Sequence, residues 1–218
     1  MGLLFHKKFL WLSVVISLGI VIISFFYSRN YLLHHQLNYS SDQYYQRIYQ
    51  SLANGILIGA PNASNTIIIY ESLLCSGCAN FSLNQLPDII NLYVNDNRAK
   101  IIIYPMPPKE TMKASLCAWR EGKILDYEKY FFQHQKQFIK DKDDQEIISF
   151  AQKSNLDLAS FKKCYLDKNK IYDKIIQDWL NQAQKDKVQY TPTIIVNGKK
   201  LIYNGTDEII DQIGEEME

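Results

Sequence analysis

The residues of this chain best suited to chemistry are the two cysteines of Cys75-Ser76-Gly77-Cys78. Two thiols at this spacing can close a disulfide on themselves and open it again. Their setting sharpens that reading. Thr66-Ile67-Ile68-Ile69-Tyr70 runs before them, a β-branched apolar stretch that predicts a buried strand. Ala79 to Leu86 runs after them, with Phe81 and the leucines at helical spacing. The pair therefore falls where a strand ends and a helix begins. There the first cysteine meets unpaired backbone N–H groups and the positive end of the helix dipole. Both favour the thiolate, which is the reactive form. Half of a zinc site and an inert surface pair are the competing readings, and the strand-to-helix junction favours redox chemistry over both.

The elements needed to hold such a pair can be read along the chain. Tyr45, Ile48, Tyr49 and Leu52 have helical spacing, and Asn54-Gly55 breaks it. Gly59 to Asn65 is a turn-rich lead into the strand at 66–70. The helix after Cys78 is expected to continue to about Asn95, kinked at Pro87. Ala99 to Tyr104 is a second strand, closed by Pro105-Met106-Pro107-Pro108. From Lys109 to about Lys187 the pattern is helical, with segments opening at Ala114, Asp126, Asp144, Asp157 and Lys170. The second of these is expected to run to Gln137. Strands return at Pro192–Val196 and Lys199–Tyr203, joined by the hairpin signal Asn197-Gly198, and a last helix runs from Thr206 to about Glu215. A helical block is thus inserted into an α/β domain.

The chain has 218 residues and a net charge of +1, with acidic and basic residues interspersed, so no nucleic-acid footprint is present. Phe9 to Tyr27 is a nearly unbroken apolar run, about the ~20 residues needed to cross a bilayer as a helix. Lys7 and Lys8 precede it and only Arg29 follows closely, which places the remainder of the chain outside the cytoplasm. The exit Phe25-Phe26-Tyr27-Ser28-Arg29-Asn30 is a poor cleavage site, so an uncleaved signal anchor is favoured over a cleaved signal peptide. All four cysteines lie beyond it, and in an oxidising compartment an even count suggests disulfides.

Several motifs in order resemble the DsbA-like thioredoxin-fold family of exported thiol–disulfide oxidoreductases, especially its membrane-anchored members. They are Ile58-Gly59-Ala60-Pro61-Asn62-Ala63, Cys75-x-x-Cys78-Ala79-x-Phe81 with Leu86-Pro87, Cys117-Ala118-x-x-x-Gly122-Lys123 followed by Tyr127, and Tyr190-Thr191-Pro192-Thr193-x-x-Val196-Asn197-Gly198. The resemblance covers roughly Ile56 to Ile213. It implies a thioredoxin-like α/β fold carrying an inserted α-helical domain, here preceded by an N-terminal transmembrane helix. The expected divisions are 1–29 for the anchor, 30–55 for a partly helical linker, 56–108 and 188–218 for the two parts of the thioredoxin-like domain, and 109–187 for the helical insertion. Thr191 and Pro192 would form a cis-proline loop beside the cysteine pair, where the backbone can pair with an extended substrate. No organic cofactor and no metal is implied. The implied partners are reduced, unfolded exported proteins and a membrane redox partner for reoxidation, with the catalytic domain on the periplasmic or extracytoplasmic side of an inner membrane.

Two departures bear on the chemistry. The family often carries an acidic residue six positions before the first cysteine, where this chain has Ile69. Glu71, two residues on, shares that strand face and is a candidate proton acceptor for the buried thiol, or a solvated strand-end charge. The Ser76-Gly77 spacer has no bulky or basic residue to tune the thiolate, which leaves a reductase or isomerase open beside an oxidase. A non-redox thioredoxin-like module holding a metal or peptide is a third reading. Cys117 and Cys164 lie on different predicted helices, and a structural disulfide is favoured over two separate buried thiols or a second redox relay. His6, His34, His35 and His134 stand apart from any ligand-like cluster, and Trp119, Tyr127, Phe131 and Trp179 are expected in the core of the insertion.

Overall fold

The computed structural model describes residues 19–31, 42–141 and 143–218. The chain separates into two compact units, Met1–Ile48 and Tyr49–Glu218. In the first, residues 19–31 form a helix whose apolar side chains, Ile20 to Phe26 among them, are exposed. No helix among the described residues is long and apolar enough to cross a membrane. Residues 9–18, the first half of the expected anchor, lie outside the described residues, as do His6, His34 and His35.

Helix α1 covers residues 42–52, and its last turn opens the second unit. Gly55 follows at a φ of 90°, where an added Cβ would sit 2.5 Å from Ile102, so only glycine fits this turn. Five strands then build one sheet in the order β1-β3-β2-β4-β5: β1 is Ile56–Ile58, β2 Asn65–Glu71, β3 Ala99–Pro105, β4 Thr193–Val196 and β5 Lys199–Leu201. β2 runs parallel to β3 and antiparallel to β4, and so occupies the centre. Its Ile67 and Ile69 are fully buried while Thr66 and Ile68 are only half-buried, the period of two that the sequence shows. β4 is buried along its whole length. Asn197 and Gly198, at φ of 49° and 90°, make the turn into β5 with both central residues left-handed.

Helices α2 (Ser76–Asn84) and α3 (Leu86–Ile89) and a π-helical turn at Ile90–Val94 connect β2 to β3. The insertion between β3 and β4 holds α4 (Lys109–Arg120), α5 (Ile124–Gln133), α6 (Gln135–Asp141), α7 (Asp144–Lys153), α8 (Leu158–Tyr165) and α9 (Lys170–Lys185). Helix α10 (Glu208–Glu215) closes the chain. A disulfide between Cys117 and Cys164 ties α4 to α8. In α9, Tyr172, Ile175, Ile176, Trp179 and Ala183 form one buried face, and the Trp179 indole donates to the Leu52 carbonyl at 2.6 Å.

The structure corrects several expected boundaries. The helical run after Cys78 reaches Val94 as expected but divides at Gln85, which keeps helical backbone angles and donates its N–H to the Phe81 carbonyl at 2.9 Å. Gln85 turns its amide to Asp207 Oδ1 at 2.8 Å and accepts from the Tyr203 hydroxyl at 2.9 Å. Pro87 lies in the first turn of α3, where its missing N–H costs nothing. The helix expected from Asp126 to Gln137 divides at His134, whose ring stacks on Tyr130 with centroids 4.0 Å apart. β1 was not expected, and β5 ends at Leu201, two residues short of the expected Tyr203, with Ile202 beyond it exposed. Trp119 is only half-buried and lines a surface hollow with Gly122 and Leu125, whereas Tyr127, Phe131 and Trp179 are fully buried.

Candidate active site

β2 ends at Glu71, and the chain turns through Ser72, Leu73 and Leu74 to reach Cys75. The turn is held from three directions. The Cys75 N–H donates to the Ser72 carbonyl at 3.0 Å, the Ser72 hydroxyl donates to the Pro107 carbonyl at 2.7 Å, and the Gln135 amide, from the insertion, donates to the Leu73 carbonyl at 2.7 Å. Cys75 is thereby fixed as the N-cap of α2, with extended backbone and its sulfur accepting from the Cys78 N–H at 3.3 Å. A cap side chain that accepts from the first turn is the arrangement that stabilises negative charge there.

On its other side the Cys75 thiol donates to the Thr191 carbonyl at 3.2 Å. The Thr191–Pro192 bond is cis, and Pro192 is buried. Gly77 lets this loop approach, because a Cβ there would lie 3.3 Å from Pro192 Cδ and 3.7 Å from the Cys75 sulfur. A second cis bond, Pro107–Pro108, lies beside it. Cys75, Met106, Tyr190 and Thr191 line a cleft of about 370 Å³, and Tyr190 is exposed. Cys75 and Cys78 are both free thiols here, Cys75 half-exposed and Cys78 fully buried.

The two sulfurs differ sharply. Partial burial pushes the Cys75 thiol up. Hydrogen bonding from the Thr191 side chain, the Cys78 thiol and the backbone N–H groups of Cys78 and Gly77 pulls it down, and the balance lies below an ordinary thiol. Burial, followed by the charge of Glu71, pushes Cys78 far up. Cys75 is therefore the nucleophile, and Cys78 is a poor thiolate and a shielded one.

Glu71 lies beneath this pair and is 2 % exposed. It is not the solvated strand-end charge that its position allows. Its Oε2 accepts from the Ser82 hydroxyl at 2.7 Å. Its neighbour Glu128, which the sequence reading missed, is 3 % exposed on α5, and its Oε1 accepts from the Ser115 hydroxyl at 2.8 Å. A signal was there to be found, because Ile124, Tyr127, Glu128, Phe131 and Phe132 are the buried positions of α5 and only one of them is charged. Burial raises the Glu71 carboxyl above the ordinary carboxylate range, against hydrogen bonds from Ser82 and Glu128 that would lower it. Burial, and then the Glu71 charge, raise Glu128 well above that range.

Of the residues singled out by sequence, Cys75, Cys78, Glu71, Thr191 and Pro192 come together at one end of the sheet. Cys117 and Cys164 are bonded to each other within the insertion, away from the free pair. Among the described residues no group of three or more His, Cys, Asp or Glu side chains is placed to hold a metal ion.

The fold is shared with known proteins. A family profile described as Thioredoxin matches residues 51–214. No curated protein sequence matches the chain. Among solved structures, α-DsbA1 from Wolbachia pipientis is 24 % identical, with a TM-score of 0.63 over 75 % of this chain and 93 % of that one. BdbD from Bacillus subtilis in its oxidised form is 18 % identical, with a TM-score of 0.62 over 77 % of this chain and 95 % of that one. MdbA from Actinomyces oris, a thiol-disulfide oxidoreductase, is 19 % identical, with a TM-score of 0.52 over 67 % of this chain and 76 % of that one. These likenesses show a shared fold with a helical insertion, and the profile spans most of the sequence, from α1 to α10: the chain belongs to the thioredoxin family.

Proposed function

We propose that this protein is a membrane-anchored, DsbA-like thiol–disulfide oxidoreductase that introduces disulfides into exported proteins through Cys75 and Cys78. One observation carries the reading: an N-cap cysteine with a depressed pKa, paired with a buried cysteine and set against the Thr191 carbonyl. In the disulfide form a substrate thiolate attacks the Cys75 sulfur, the accessible one. The Cys75–Cys78 bond breaks, Cys78 leaves with the electron pair and a mixed disulfide joins Cys75 to substrate. A second substrate thiolate then attacks the substrate sulfur of that mixed disulfide and expels Cys75. The substrate gains a disulfide, and the enzyme gains two electrons and becomes the dithiol. Stabilisation of the Cys75 thiolate favours this last departure and makes the pair oxidising. An extended substrate has the backbone at Thr191 beside it, in the manner of strand addition.

The run Phe9–Tyr27 supplies the anchor in this reading and puts the catalytic unit on the extracytoplasmic side, where disulfides persist. Exported proteins with reduced cysteines are the substrates, and a membrane redox partner reoxidises the dithiol. The test mixes the oxidised protein with a reduced, unfolded two-cysteine protein and follows the substrate's thiols by mass spectrometry. Transfer that is lost in Cys75→Ser is expected; no transfer, or transfer indifferent to that substitution, refutes the proposal. The opposite direction, reductase or isomerase, is separated by equilibrating the pair with glutathione. A potential near that of thioredoxin, about −270 mV, would favour reduction.

A further inference from the structure

The turn that carries Cys75 is held by a continuous chain of hydrogen bonds, and both ends of the chain belong to the insertion. At one end the Gln135 side-chain amide donates to the Leu73 carbonyl at 2.7 Å, from 62 residues away in sequence. The other side of that same peptide group, the Leu74 N–H, donates to the Ser72 hydroxyl oxygen at 3.3 Å. The Ser72 hydroxyl donates in turn to the Pro107 carbonyl at 2.7 Å. Pro107 stands just before Pro108, the N-cap of α4, and Gln135 opens α6.

Gln135 reaches the turn because α5 stops one residue earlier. The His134 N–H takes the Tyr130 and Phe131 carbonyls at 3.2 and 3.0 Å, and its ring Nδ1 lies 2.8 Å from the Tyr130 carbonyl. The residue after this stop turns inward and is buried. Ordering a glutamine side chain costs much rotamer freedom, and here the amide is spent on one backbone carbonyl of the turn. That turn touches both sulfurs. The Cys75 N–H donates to the Ser72 carbonyl at 3.0 Å, and the Ser72 N–H reaches the Cys78 sulfur. The donors that favour the Cys75 thiolate are the Thr191 side chain, the Cys78 thiol and the N–H groups of Cys78 and Gly77. Such bonds weaken steeply with distance and angle, so a turn that drifts loses them.

We propose that Gln135 is a positioning residue for the exchange reaction: through the Leu73–Leu74 peptide group and Ser72 it locks the Cys75 sulfur against the first turn of α2, and it ties the oxidising strength of the cysteine pair to the seating of the insertion. The proposal rests on the exchange chemistry described above. Gln135 acts through the turn and not on the reacting sulfurs. Losing its amide loosens the turn, costs the Cys75 thiolate its donors and destabilises the dithiol form relative to the disulfide. The pair then becomes a weaker oxidant.

Full-length wild type, Gln135→Met and Ser72→Ala are each equilibrated with glutathione, and Cys75 alkylation is followed across pH. Methionine keeps the length of the side chain and removes the donor. Both variants are expected to move the glutathione equilibrium towards the disulfide by up to about tenfold, which is about 30 mV for a two-electron couple, and to raise the Cys75 inflection. The double variant is expected to shift no further than the larger single one, because both substitutions cut the same chain. Variants that melt lower yet keep the wild-type equilibrium and inflection make Gln135 a structural residue only and overturn the proposal, as do shifts that add. A wild type with no reversible exchange overturns the oxidoreductase reading instead. One measurement needs no variant to fold. In the wild-type dithiol the side-chain amide resonance of Gln135 is expected to move with the ionisation of Cys75, and a resonance that stays fixed through it overturns the proposal.

Discussion

Cys75 and Cys78 are the same amino acid three positions apart, and position alone makes one a nucleophile and the other a shielded reserve. Alkylation should show it directly. Cys75 is expected to react with an inflection below the ~8.5 of a free thiol, while Cys78 reacts only after denaturation; equal rates for both would contradict the site as described. The carboxyls beneath them predict an unusual stability profile. Glu71 and Glu128 have folded-state pKa values above their unfolded ones, so between the two values the native state binds more protons than the unfolded chain. Stability then falls as pH rises from about 4.3, where unfolded glutamates ionise, towards the folded values. Denaturant midpoints should decline over that window, and Glu71→Gln should flatten the decline. Much of this site could be read from spacing. Cys75 and Cys78 stood at a strand–helix junction, and Thr191-Pro192 preceded a hairpin signal. Glu128 could not be read with it, because its place beside Glu71 comes from a fold that brings α5 against β2, and no local pattern carries that contact.

Elements with a strong period were legible, and those fixed by tertiary contacts were not. α7 and α9 begin where Asp144 and Lys170 open their patterns, with Asp143 and Asn169 as N-caps whose side chains accept from Gln145 and Ile171. β1 escaped because three residues between Gly55 and Gly59 carry no period, and its identity comes from pairing Ile56 with Ile103. At the division between α2 and α3 the Gln85 side chain bonds Tyr203 and Asp207, more than a hundred residues away, contacts that no local pattern carries. Two elements invite tests. The bond between Cys117 on α4 and Cys164 on α8 spans a sequence separation of 47, for which the loop-entropy model gives stabilisation on the order of 4 kcal/mol as an upper figure. The double variant Cys117→Ala, Cys164→Ala should melt at a lower temperature and still transfer disulfides; normal stability with lost turnover would make that pair a redox relay. Trp179 anchors α9 to the end of α1 through the Leu52 carbonyl. Trp179→Phe removes the donor and leaves a buried acceptor, a loss of about 1–3 kcal/mol that chemical denaturation can measure.

At the scale of the whole molecule, the unit Tyr49–Glu218 carries every residue of the candidate site. If Phe9–Tyr27 is the anchor, full-length protein should stay with membranes through an alkaline wash, and a chain lacking residues 1–31 should be released and keep its exchange activity. Release of the full-length chain would remove the anchor and leave the chemistry untouched. The order of the sheet has a further consequence, in time. Cys75 and the Thr191 carbonyl that accepts its hydrogen bond are 116 residues apart, with the entire insertion between them. Ribosomes add about 5–20 residues per second. The two cysteines of the site are therefore made on the order of ten seconds before the loop that completes it. Cys117 and Cys164 are both made inside that interval, while Cys75 is still an ordinary thiol. The growing chain has no working site of its own with which to join them, so any bond formed in that window is the work of an outside oxidant, a finished copy of the same protein among them.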